Sequence, residues 1–188
     1  MVIMSNLEKI NNTLHEDFLC NKTTILEEGS VNMKIPIDST GCKFLLYKYD
    51  KQLKKEYKGG LFPFFAKKKS VCSVSDYILF TETKGKLFIL IIELKKGKDQ
   101  TLPQLKASKC FVDYVINTIN RIYNVSIIPQ IRLISVHEYK LPKKKVKDRG
   151  VMYDKEFHCQ LHIPADTRSA FPVISVQSPV SIQCCWQS

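Results

Sequence analysis

VCSVSDYILFTETKGKLFILIIELK, residues 71–95, decides the fold. Two apolar runs, Tyr77–Phe80 and Leu87–Ile92, flank the polar turn Thr81-Glu82-Thr83-Lys84-Gly85-Lys86. Isoleucine, leucine, phenylalanine and tyrosine at this density predict two buried strands, and Lys84-Gly85 marks a hairpin between them. If Lys84-Gly85 is a two-residue loop, Thr83 faces Lys86, and counting outward sets Asp76 directly across from Glu93. Side chains alternate along a strand, so Lys95 shares the sheet face of Glu93. This turn asks Lys84 for a positive φ. A three-residue turn with Gly85 in a bulge shifts the pairing by one residue and leaves the two ends near each other.

Facing carboxylates at the end of a buried hairpin destabilise it. At about 4 Å their repulsion is on the order of 4 kcal/mol for an effective dielectric near 20. A divalent cation removes that penalty. Two carboxylates, a backbone carbonyl and waters make the oxygen-rich shell that magnesium prefers. The Lys95 ammonium then stands beside the ion, placed to orient a water and to stabilise an anionic transition state. The competing reading is plain: Asp76 ends a turn, and Glu93 with Lys95 is a solvated rim pair.

Asp76, followed by Glu93-Leu94-Lys95 at the end of the next strand, resembles the PD-(D/E)xK nuclease superfamily, with Ser75-Asp76 where the name pattern has Pro-Asp. The resemblance covers roughly Ser5 to Glu138 and rests on element order. It implies an α/β (α+β) fold, a mixed central sheet with the restriction-endonuclease-like αβββαβ core flanked by helices. It also implies Mg2+ or Mn2+ held by Asp76, Glu93 and the carbonyl of Leu94, with Lys95 positioning the attacking water. A first-helix acid adds a metal or water contact in many such enzymes. Glu16 is the candidate here, with Glu27 or Glu28 behind it, and His15 is similar to the histidine of viral cap-snatching endonucleases. A solvent-facing helix acid is the plainer account of Glu16. Gln104, opening the helix after Glu93-Leu94-Lys95, is similar to the extra motif of the RecB-type exonuclease branch. Ser108 stands where that branch usually has a tyrosine. Gln104 is thereby a candidate donor to a phosphate or a water; a role in the turn before the helix is the alternative.

The chain of 188 residues is long enough for one domain and a tail. Its net charge is +11 and its pI about 9.3, which favours a polyanionic partner, nucleic acid ahead of an anionic membrane; charge does not separate DNA from RNA, and DNA is the first expectation for a nuclease of the kind this chain resembles. A merely soluble basic protein shows the same balance. Seven cysteines, at 20, 42, 72, 110, 159, 184 and 185, include no CxxC, and several sit in apolar runs. That pattern predicts reduced thiols and a cytoplasmic location. His158, Cys159 and His162 lack a second cysteine pair and read as structural. No apolar run approaches the length of a membrane span, and the N-terminus lacks a signal pattern.

Along the chain, Ser5–Cys20 reads as a helix with a Ser5/Glu8 capping box and an apolar stripe of Leu7, Ile10, Leu14 and Phe18. Residues 25–37 hold a strand broken by Gly29 and Pro36, and Lys43–Tyr49 is a better strand to pair with the hairpin. Residues 51–69, KQLKKEYKGGLFPFFAKKK, interleave lysines with Tyr57, Phe62, Phe64 and Phe65, a mixture suited to phosphate contacts and base stacking, or equally to a loop plugging the core. Lys67, Lys68 and Lys69 lead into the Asp76 strand, and Lys96 and Lys98 follow Lys95; all five are candidate nucleic-acid contacts. Thr101 caps a second helix with Pro103 in its first turn and a stripe of Leu105, Val112, Val115, Ile116, Ile119 and Ile122. Val125–Val136 is the next strand, parallel to a hairpin strand because a helix intervenes. A lysine cluster follows at 142–147.

The sequence divides into a nuclease-like domain at 1–150 and a C-terminal extension at 151–188, with a strand near Phe157–Ile163. An extended segment at Phe171–Ile182 is an added edge strand or the element of a homodimer. The first functional expectation is a Mg/Mn-dependent nuclease. The second is a nucleic-acid-binding module on a retired nuclease fold. The third is an assembly protein pairing through its C-terminal segment.

Overall fold

The computed structural model describes residues 4–20, 25–28, 33–38, 41–49, 71, 73–97, 100–139, 153–164 and 174–175. The lysines at 67–69, Lys98, the cluster at 142–147 and most of 171–182 lie outside the described residues.

The central hairpin forms in the simpler of the two registers. β4 (Tyr77–Thr83) and β5 (Lys86–Lys96) pair antiparallel with Thr83 against Lys86 and Tyr77 against Ile92. Lys84 (φ 51°) and Gly85 (φ 73°) are both left-handed, as a two-residue primed turn requires. A slip by one residue would turn one strand over relative to the other and set Asp76 and Glu93 on opposite faces of the sheet.

Around the hairpin stands an α+β fold with a mixed five-stranded sheet. β3 (Phe44–Lys48) pairs antiparallel with β4; β6 (Gln130–Tyr139) lies parallel to β5, and β7 (His158–Pro164) parallel to β6. The order is β3-β4-β5-β6-β7. Residues 158–164, beyond position 150, therefore form the edge of the same sheet. The region 25–37 holds two strands rather than one: β1 (Ile25–Glu28) and β2 (Met33–Asp38) form a hairpin in a second sheet, joined there by β8 (Ile174–Ser175).

Two helices complete the fold. α1 (Asn6–Thr13) begins with the expected box: the Glu8 N–H donates to Ser5 Oγ at 3.2 Å, and the Ser5 N–H donates to Glu8 Oε2 at 2.7 Å. It stops well before Cys20. Asn11-Asn12-Thr13 has poor helix propensity, and the following segment pairs instead with β3, through a Leu19–Tyr47 bridge and a Cys20 N–H to Leu46 carbonyl bond of 2.8 Å. A short 3-10 turn, Glu16–Phe18, lies between, capped by His15 Nδ1, which accepts from the Asp17 N–H.

α2 (Leu102–Tyr123) is the long crossover between β5 and β6. It buries Leu105, Val112, Val115, Ile116 and Ile119 as expected, but Ile122 is 54% exposed because it falls on the solvent side of the last turn. The strand expected from Val125 begins only at Gln130. Asn120 clamps Ile127 from the helix, donating to its carbonyl (3.2 Å) and accepting from its N–H (2.8 Å), and Pro129 cannot donate to a ladder.

The sheet is covered on both faces, which explains why β5 runs apolar without alternation from Leu87 to Ile92. On one face Ile78, Phe80, Ile89, Ile91 and Leu133 pack under α2; on the other Leu79, Leu90, Ile92, Ile134, Cys159 and Leu161 pack with Ile35 and Ile37 of β2. Each such side chain contributes about 1.5–3 kcal/mol on burial. Among the described residues, no helix is long and apolar enough to cross a membrane.

Candidate metal and phosphate site

Alternation along β4 and β5 puts Asp76 and Glu93 on the α2 face, one step past the Tyr77–Ile92 pair. Both are buried, at 7% and 2% exposure. They are held by the backbone of the opposite strand: the Asp76 N–H donates to Glu93 Oε2 (3.3 Å), and the Leu94 N–H donates to Asp76 Oδ2 (2.7 Å). A strand residue sends its N–H and C=O to the same side, so the Leu94 carbonyl also faces the edge where Asp76 stands. Lys95 Nζ lies 3.9 Å from Glu93 Oε1, and its side chain is one-third exposed. Among the described residues, the two buried carboxylates stand beside one ammonium, and the donors they offer are all oxygen. Oxygen donors of this kind are the ones that would suit Mg2+ or Mn2+, with the Leu94 carbonyl beside them. Among the described residues, no group of three His, Cys, Asp or Glu side chains is placed to hold an ion.

The other expected residues are less closely gathered. Glu16 is exposed on the 3-10 turn and does not hydrogen-bond to the acid pair. The turn is nevertheless anchored at this end of the sheet: Phe18 stacks on Tyr49 at 5.0 Å, and Tyr49 follows Lys48, the partner of Tyr77. Gln104 is half-buried in the first turn of α2, and Lys96 is exposed at the end of β5. Lys67, Lys68, Lys69 and Lys98 belong to the undescribed residues. Thr101 does not cap α2 with its side chain. Its hydroxyl bonds instead to Ser135 Oγ.

That bond belongs to a polar band that sequence reasoning missed. Ser135 is the β6 partner of Glu93, and His137 is the partner of Lys95. Ser135 Oγ lies 2.7 Å from His158 Nε2, and His158 Nδ1 lies 3.4 Å from Asp154 Oδ2. The Asp154 carboxyl is held below the usual carboxylate range, chiefly by the His158 N–H it accepts. Although the order serine, histidine, aspartate has the outline of a nucleophilic array, Ser135 is fully buried beneath Thr101, and the chain of bonds serves to tie α2, β6 and β7 together. His137 Nδ1 meets the Gly97 carbonyl at 3.0 Å, which fixes that nitrogen as the donor and pins the turn after Lys95. On the β4 side, the Ser75 N–H donates to Ser108 Oγ at 2.6 Å. The available signal was polar residues at alternate positions, Ser135 and His137, next to the apolar Leu133, Ile134 and Val136.

Tyr49 also stands at this end. Its hydroxyl is buried with no hydrogen-bond partner among the described residues, and burial pushes its pKa far above the usual tyrosine value. No family model, curated protein or solved structure matches the chain.

Proposed function

We propose that the chain is a metal-dependent nuclease hydrolysing phosphodiester bonds of nucleic acid, DNA ahead of RNA. One observation carries this reading: Asp76 and Glu93 converge in a buried position at the end of the β4–β5 ribbon, with Lys95 Nζ 3.9 Å from Glu93. Supporting it, when β1 and β2, which lie between α1 and β3 and belong to the second sheet, are set aside, the elements run α1, β3, β4, β5, α2, β6, an order compatible with an αβββαβ core. The net charge of +11 suits a polyanion.

Asp76, Glu93 and the Leu94 carbonyl are the groups that would hold Mg2+ or Mn2+. When bound, the cation supplies Lewis-acid stabilisation of charge on the scissile phosphate. Lys95 donates hydrogen bonds that orient the attacking water and balance charge on the phosphate oxygens. In the hydrolysis, the water oxygen bonds to phosphorus and the bond from phosphorus to the leaving sugar oxygen breaks. The water gives up a proton and the leaving oxygen takes one.

The test is incubation with labelled DNA and RNA in the presence of Mg2+, Mn2+ or a chelator, beside Asp76→Ala and Glu93→Ala. Metal-dependent cutting that either substitution abolishes, with the fold retained, is expected. Variants that cut as fast as wild type would refute the assignment. Salt-sensitive binding without cutting would favour a binding module on this fold.

A further inference from the structure

Ser108 lies on the apolar stripe of α2 between Leu105 and Val112, and all three are fully buried. A hydroxyl at such a core position costs free energy unless it is hydrogen-bonded. A serine or threonine in a helix can satisfy itself by bonding back to the carbonyl four residues earlier, as Thr13 does to Lys9 in α1 (2.8 Å). Among the described residues the Ser108 hydroxyl instead takes one hydrogen bond from outside its helix, donated by the Ser75 N–H at 2.6 Å. Ser75 and Asp76 precede β4, so the pairing of β4 with β3 and β5 does not extend to them. Ser75 is fully buried, and its own hydroxyl has no hydrogen-bond partner among the described residues. The next peptide along belongs to the acid pair. The Asp76 N–H donates to Glu93 Oε2 (3.3 Å), and Asp76 Oδ2 accepts the Leu94 N–H (2.7 Å).

We propose that Ser108 is a positioning residue for the acid pair; this rests on the nuclease reading above. Its hydroxyl fixes the backbone at Ser75, so that the N–H and the carboxylate of Asp76 meet Glu93 and Leu94 together. Inside a sheet, ladder bonds hold a backbone in this way; ahead of β4 a side chain from the helix takes their place. An alanine would continue the stripe and bury no polar group, so packing alone does not account for a serine here. Groups that hold metal-ligating side chains from behind govern affinity, because ligands whose backbone is already fixed lose less freedom on binding.

The test compares the full chain with Ser108→Ala, Ser108→Cys and Val112→Ala, the last at a buried apolar position one turn further along α2. In calorimetric titration with Mn2+, Ser108→Ala should bind about tenfold more weakly or worse. Ser108→Cys, whose sulfur is a weak acceptor, should fall between it and wild type. Hydrogen exchange without metal, followed by NMR, should quicken at the Leu94 amide relative to Ile91 in Ser108→Ala, and at both equally in Val112→Ala. On labelled DNA with Mn2+, Ser108→Ala should lower kcat and leave KM unchanged. Wild-type affinity and wild-type Leu94 exchange in the Ser108 variants overturn the inference and leave the nuclease reading standing. An equal loss of affinity in Val112→Ala does the same, since it would mark Ser108 as a matter of stability alone. No Mn2+ binding and no cutting by the wild type overturns both.

Discussion

Asp76 and Glu93 are bound to each other's strands: the Asp76 N–H reaches Glu93 Oε2 at 3.3 Å, and the N–H next to Glu93, that of Leu94, reaches Asp76 Oδ2 at 2.7 Å. This exchange replaces the ladder bonds that β4 and β5 would otherwise make one step further on. It fixes both carboxylates in place before any cation arrives, so little ordering remains to be done on binding.

A cation that binds only the folded chain raises its stability. At about a hundred times its dissociation constant the gain is about 2.7 kcal/mol. Mn2+ or Mg2+ should therefore raise the melting temperature of the wild type by several degrees. Glu93→Gln should lose that response while unfolding no earlier than wild type without metal, since one of two facing negative charges is gone. Scanning calorimetry with and without chelator reads both; an equal metal-induced shift in the two proteins would contradict the site.

Ser135→Ala removes the hydroxyl between Thr101 and His158 and leaves both buried groups without it. Loss of a buried partner costs about 1–3 kcal/mol. Urea unfolding should show that loss, while Cys110→Ser, at an exposed position on α2, should change stability by less than about 0.5 kcal/mol.

Tyr49 carries the opposite sign. Its hydroxyl is buried without a partner among the described residues, so Tyr49→Phe removes a polar group unmet there and keeps the ring contacts with Phe18 and Phe111. The substitution should be neutral or stabilising by up to about 1 kcal/mol, again by urea unfolding. A marked destabilisation would mean that the hydroxyl has a partner in the working protein.

Lys84 holds φ 51° in the hairpin turn. Asparagine tolerates that conformation better than lysine. Lys84→Asn should stabilise the protein by about 0.5–1 kcal/mol, and Gly85→Ala, at φ 73°, should destabilise it by at least about 1 kcal/mol.

Acid sensitivity follows from two carboxylates whose folded pKa values lie below their ordinary ones. The Ser5 backbone N–H lowers Glu8, and the His158 backbone N–H lowers Asp154. A depressed folded pKa means that the stabilisation is present above the ordinary carboxylate range and disappears as pH falls through the folded value. Glu8→Gln and Asp154→Asn should each flatten the acid limb of a stability profile below that range and leave the neutral region nearly parallel to wild type. Both groups are solvent-exposed, so each contribution is small.

The hairpin, the Ser5/Glu8 box, the buried stripe of α2 from Leu105 to Ile119 and the placing of Asp76, Glu93 and Lys95 at one end were legible in the chain, while the choice between the two hairpin registers came from the structure. Each depends on a relation over a few residues: alternation in a strand, a period near 3.6 in a helix, a turn closing two runs. Such relations are set by backbone geometry and need no knowledge of distant neighbours. The early stop of α1 at Thr13 and the late start of β6 at Gln130 were not legible, because bonds to β3 and from Asn120 overrode the local pattern.

By itself, then, the sequence determined that two acids and an amine share one end of a buried ribbon. Only the tertiary structure decided what surrounds them. Ser135 and His137 come beside Glu93 and Lys95 through a parallel pairing that spans a whole helix, and Thr101 and Ser108 are turned toward the site by the angle at which α2 packs. No local rule fixes the register of a strand against a partner some forty residues away. Packing of two apolar faces does, and it buried both acids.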